Sequence, residues 1–158
     1  MRQIIENVKQ TIAQKKILWA YPVARKLQQY HYTLAIQWAV ECIQIYASEN
    51  NPDKLSQLKQ YIQQAIEEQH ILIPSQCMEI STEIWYLPER EEIQTAISRV
   101  WASISAFKQE EEHGGIMETT AAVELLLPDI TDILLLNRYL EAAVRIYEEH
   151  KSQNQACK

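Results

Sequence analysis

The chain has 158 residues, 47% of them from the set AVILMFWYC, and a net charge of −6, which is enough apolar material for one packed domain and too much for wholesale disorder. Only two glycines occur, adjacent at Gly114 and Gly115, where average usage of roughly 7% would supply about eleven. Sheets, barrels and doubly wound folds need Gly at hairpins, bulges and phosphate loops, so the composition predicts an all-α protein and excludes the Gly-rich nucleotide-binding motifs.

With Gly so scarce, the prolines at 22, 52, 74, 88 and 128 and the glycine pair divide the chain. The first segment sets Ile4, Ile5, Val8 and Ile12 on one stripe, and a short helix follows Pro22 with Val23, Leu27 and Tyr30. From about Thr33 to Ser48 the residues Tyr32, Ala35, Ile36, Ala39, Cys42, Ile43 and Tyr46 keep the 3.6-residue period. Asn51 then reads as an N-cap, with Pro52 at the first helical position and Asp53 complementing the dipole of a helix reaching about Gln69. Ser75 reads as the cap of a shorter helix carrying Cys77, Met78, Ser81 and Ile84. A long helix over about Glu89 to Glu112 presents Ile93, Ile97, Val100, Trp101, Ile104 and Phe107, and is expected to stop at a left-handed glycine cap. Met117 to His150 reads either as one helix bent at Pro128 or, preferably, as two helices, with Asp129 or Thr131 capping the second. The expectation is one domain over residues 1–150, an irregular bundle or short array of six to seven helices, followed by a flexible polar tail over 151–158. The helices on Thr33 to Ser48 and on Glu89 to Glu112 are expected at its centre, and Trp19, Trp38, Trp85 and Trp101 are expected as core anchors.

The acidic balance opposes nucleic acid as a partner, because phosphate binding needs a positive field. Residues 1–30 are the exception, with Arg2, Lys9, Lys15, Lys16, Arg25 and Lys26 against Glu6 alone; interspersed with apolar residues, they read as the solvated face of an amphipathic helix. Three cysteines without C-x-x-C spacing disfavour a disulfide framework and point to a reducing cytoplasm. The expectation includes no secretory signal, no membrane span and no prenylation box at Cys157.

Two Glu-x-x-His pairs, Glu67 with His70 and Glu110 with His113, have the spacing by which di-metal helical bundles put a carboxylate and an imidazole on one helix face. A metal-dependent bundle enzyme is therefore the alternative reading. Both pairs fall in a last helical turn, and Glu67 and His70 continue a polar row, so solvated residues and no metal or other cofactor are the preferred assignment. His31 and His150 read as helix-end residues where partial positive charge is favourable. No spacing proposes a nucleophile beside a base, so no catalytic residue is assigned, and Cys42 reads as an inert buried thiol. Glu110, Glu111 and Glu112 stand out, because three carboxylates closing a helix oppose its dipole and one another. On one helix of about 25 residues they would lie ~35 Å from Glu89, Glu91 and Glu92. They are assigned as the site that steers a basic protein partner.

The stretch His31-Tyr32-Thr33-Leu34-Ala35-Ile36-Gln37-Trp38-Ala39-Val40-Glu41-Cys42 resembles a recurring segment of small helical bacterial proteins, some described as immunity proteins and others as domains of unknown function near secretion loci. Arg138-Tyr139-Leu140 is similar to the closing helix of such domains. The resemblance implies a non-catalytic helical protein that acts by binding, and it carries no site residues across. A homo-oligomer held through the apolar run Leu125 to Leu136 is the third reading.

Overall fold

The computed structural model describes residues 1–13 and 18–156. Among these residues there is no strand, and eight α-helices gather around one hydrophobic core: α1 (Arg2–Ala13), α2 (Tyr21–Gln28), α3 (Tyr32–Asn50), α4 (Pro52–Glu67), α5 (Pro74–Trp85), α6 (Glu92–Lys108), α7 (Glu112–Glu124) and α8 (Ile133–Ala156). A 3-10 turn at Gln69–Ile71 joins α4 to α5. Eight helices exceed the expected six to seven by a small difference in count, and the chain on the two sides of Pro128 forms two separate helices. No helix of the described residues is long and apolar enough to cross a membrane.

The two helices expected at the centre are there. α3 packs on α2, α4, α6, α7 and α8, and α6 packs on α3, α4, α5 and α7. Such placement follows from composition: α3 buries Leu34, Ala35, Ile36, Trp38, Ala39, Val40, Cys42, Ile43 and Ala47, more than one stripe's worth, so it needs neighbours on several sides. Most polar atoms brought inside find partners, with Gln94 Oε1 and Arg99 Nε the exceptions among the described residues. Trp38 Nε1 donates to the Tyr139 carbonyl at 2.8 Å, and the Tyr139 hydroxyl donates to the Leu126 carbonyl at 2.6 Å, which ties α3, α8 and the end of α7 together. Burial pushes the Tyr139 phenol and the Cys42 thiol well above their usual pKa values, as befits inert interior groups.

Several caps differ from the sequence reading. Asn51 does cap α4, its Oδ1 accepting the Lys54 N–H at 3.0 Å. Ser75, however, lies inside α5, which starts on Pro74; the backbone N–H of Ile73 is taken by Gln76 Oε1 at 3.0 Å. The start of α8 is capped by Asp132, which accepts the Leu135 N–H at 3.1 Å, while Asp129 folds back on Thr131 in a local turn. His31 sits at the start of α3 and accepts the Thr33 N–H at 3.2 Å, a capping role rather than a positive charge at a negative helix end. His150 is inside α8, which runs on to Ala156, so six of the eight residues expected as a tail are helical. Lys15, Lys16 and Cys157 lie outside the described residues, as does the side chain of Ile12.

The glycine pair does not end a helix. Both glycines lie in the first turns of α7 and neither has positive φ. Helix α6 stops at Lys108, and its cap is a left-handed Glu110 (φ 62°), with Glu110 N–H bonded to the Phe107 carbonyl at 3.1 Å and Glu111 N–H to the Ala106 carbonyl at 3.0 Å. That pair of bonds is a Schellman motif, whose left-handed position usually holds Gly. Gly115 is needed for a different reason. A Cβ there would lie 2.5 Å from the Phe107 ring, whereas one on Gly114 would meet nothing closer than 3.8 Å. Gly115 therefore lets α7 approach α6, and Ser103 seals the contact by donating to the Gly115 carbonyl at 2.8 Å.

Candidate functional site

Helices α5 and α7 both run antiparallel to α6 and pack extensively on it, but not on each other. The contacts set this direction: Ser105 Oγ reaches the Pro74 carbonyl at the start of α5, and Gln94 Nε2 reaches the Ile84 carbonyl at its end. Ser81 and Ser98 hold α5 close, each hydroxyl donating to the other residue's carbonyl, at 2.7 and 2.8 Å. Two ridges on one helix leave a groove between them, here a cleft of about 360 Å³.

The groove has unlike walls. On the α5 side stand Met78, Thr82, Trp85 and Tyr86, with Met78 45%, Trp85 36% and Tyr86 79% exposed. Inward-facing α5 residues are Cys77, Ser81 and Ile84, so Met78 and Trp85, seven residues apart, lie beside the buried stripe rather than on it. Trp85 thus departs from its expected core role; Trp19, Trp38 and Trp101 are buried. Opposite stands Glu118 of α7, paired with Arg99 of the floor at 3.1 Å. Ala102 completes a shallow floor. The Arg90 guanidinium lies 4.2 Å from the Trp85 ring centroid, a cation stacked on a wall residue.

The acidic turn lies toward the C-terminal end of α6. A Cβ on Gly114 would lie 3.8 Å from both the Ala106 Cβ and a Glu111 carboxylate oxygen, which puts Glu111 near the stretch of α6 one turn beyond Ala102. Glu110, Glu111 and Glu112 are all exposed. Their expected conflict with a helix end is not present in that form, since α6 stops before them and Glu112 opens α7, where a negative charge complements the dipole. Glu89, Glu91 and Glu92 likewise do not share a long helix with them: Glu89 has φ 58° in the preceding turn, Glu91 accepts from Asn51 Nδ2 at 2.8 Å, and only Glu92 lies in α6.

The Glu-x-x-His residues are not brought into one metal-holding group. Glu67 is the last residue of α4, His70 is in the 3-10 turn, and Glu110 and His113 straddle the start of α7; all four are exposed. His113 Nδ1 lies 3.3 Å from the Tyr21 hydroxyl. Among the described residues no three His, Cys, Asp or Glu side chains are arranged to hold a metal ion. In the Leu125 to Leu136 run Leu126, Leu127, Leu135 and Leu136 are buried, Leu125 and Ile130 are half-buried, and Ile133 and Leu134 are exposed apolar residues. No protein-family model matches the chain, and neither a curated protein nor a solved structure matches it.

Proposed function

We propose that this is a non-enzymatic helical binding protein of the cytoplasm, an immunity-type or regulatory partner that masks a basic protein surface. The observation that supports this most is Glu110. A glutamate holds the left-handed cap position of α6, where glycine would cost less, and it begins a run of three exposed carboxylates. None of the three has an ion-pair partner among the described residues, whereas Glu41, Glu49, Glu118 and Glu149 are each paired with an arginine. Unpaired carboxylates on a turn act at long range, raising the rate at which a cationic surface arrives.

Replacing Glu110, Glu111 and Glu112 together by Gln is expected to slow association of a Lys-rich amphipathic peptide about tenfold at low salt, and less as salt screens the field. A control with Glu67→Gln, Glu68→Gln and Glu79→Gln removes the same charge elsewhere and should slow it much less. Equal slowing by both triple variants would reduce the turn to a share of net charge and sink the steering role.

A further inference from the structure

We propose that the α5–α7 groove seats an amphipathic, Lys/Arg-bearing helix of a protein partner, with the helix N-terminus at the Glu110–Glu112 turn and its C-terminus at Arg90. This rests on the basic-partner reading above and adds the place and the direction of binding.

Three features select that occupant. First, the shape suits a helix. Two ridges flank a low floor lined by Ser98, Arg99 and Ala102, and a helix of roughly 14 residues laid along α6, whose 17 residues span about 25 Å, would reach past both ends of that floor. Second, the walls suit an amphipathic one: Met78, Trp85 and Tyr86 offer apolar surface on one side, and Glu118 stands on the other. Third, the charges at the two ends are opposite. Glu111 and its neighbours complement the positive N-terminal end of a helix and its cationic side chains, while Arg90 complements the C-terminal carbonyls. Two acidic neighbours of Arg90 are turned toward α3 and α4: Glu91 accepts from Asn51 Nδ2, and Glu91 and Glu92 both lie near Tyr46.

The test uses a 14-residue Leu/Lys amphipathic helix carrying a nitroxide at one end or the other, added to ¹⁵N-labelled full-length protein. An N-terminal label should broaden the amides of Glu111 to Gly114, and a C-terminal label those of Trp85 to Arg90. The reverse pattern, or broadening outside the groove, overturns the proposal. Ala102→Trp fills the floor and should weaken binding at least tenfold with the thermal midpoint preserved; Met78→Glu should do the same from the wall and serves if the Trp variant folds poorly. Unchanged affinity in a folded variant overturns the site. A Leu/Glu peptide of the same apolar pattern should bind at least tenfold more weakly, and equal binding would remove the charge complementarity. If the protein without peptide is a dimer that Ala102→Trp or Met78→Glu dissociates, the groove belongs to a second copy and the proposal fails. The two readings fail separately: acid-dependent association with broadening elsewhere leaves the basic-partner reading standing without the groove.

Discussion

Along α6, Ile93, Ile97, Val100, Trp101 and Ile104 are buried, while Arg99 and Ala102 on another face look into the groove between α5 and α7. Those five interior residues are large and apolar, with small or polar buried neighbours such as Gln94, Ala96 and Ser103 between them, whereas the groove floor of Ser98, Arg99 and Ala102 has no large apolar side chain. One helix thus serves as core on one side and as the floor of a binding cleft on the other. The difference teaches that a central helix need not be covered on every side, because flanking helices held by small polar contacts such as Ser81 with Ser98 leave space above it.

The comparison can be broken most readily with the tryptophans. Trp101→Ala, which empties a fully buried site, is expected to cost about 3–5 kcal/mol, whereas Trp85→Ala, at a side chain 36% exposed, should cost clearly less, about 1–2 kcal/mol, while abolishing most peptide binding. Chemical denaturation and a peptide titration on both variants check this, and similar losses of stability would make Trp85 a core residue after all. The adjacent glycines come next. Gly115→Ala forces a methyl into the Phe107 ring and should destabilise by about 1–3 kcal/mol, whereas Gly114→Ala has room and should stabilise by about 0.5 kcal/mol. Opposite signs in two thermal melts would confirm that α6–α7 closeness, not a helix stop, fixes the pair.

Glu110→Gly should relieve the left-handed cap by about 1 kcal/mol, measured as a raised denaturation midpoint, while slowing association with a cationic peptide. Stability gained with association unchanged would leave the glutamate without a role. The smallest effect lies at the far side of α7, where half-buried Glu124 accepts the Ala20 N–H at 3.2 Å and burial raises its carboxyl above the usual range. The folded protein then binds a proton at a pH where the unfolded chain has lost it. Stability from this group should therefore fall as pH rises through the raised value, and Glu124→Gln, which keeps an acceptor for Ala20, should flatten that slope. An unchanged slope would contradict it.

Most of the fold was legible because it rests on local signals. The missing glycines exclude sheets, the period over Thr33 to Ser48 defines α3, and Asn51-Pro52 marks the next start with its cap bond. What failed depended on tertiary contact. The Gly114-Gly115 pair looks like a helix stop, but Gly115 exists for the Phe107 ring eight residues earlier, and nothing local announces that. Likewise Glu110 takes the conformation that the glycines were expected to adopt. The groove itself was only half written in the chain. The acid turn is visible as three consecutive carboxylates, but Trp85 reads as one more core tryptophan unless its offset from the Cys77, Ser81 and Ile84 stripe is noticed. Met78 and Trp85, seven residues apart and followed by Tyr86, were the available signal for an apolar wall left outside.

The claim that α6 separates core from site is tested most directly in the four indole N–H resonances during titration with the Leu/Lys peptide. Trp38 and Trp101 donate to the Tyr139 and Tyr61 carbonyls inside the bundle, and Trp19 is buried, whereas Trp85 borders the groove. The Trp85 indole signal should move saturably while the other three stay within a small fraction of that shift. A Trp85 signal that holds still while peptide binds, or Trp38 and Trp101 signals that move as far, would contradict the assignment of the site to the groove.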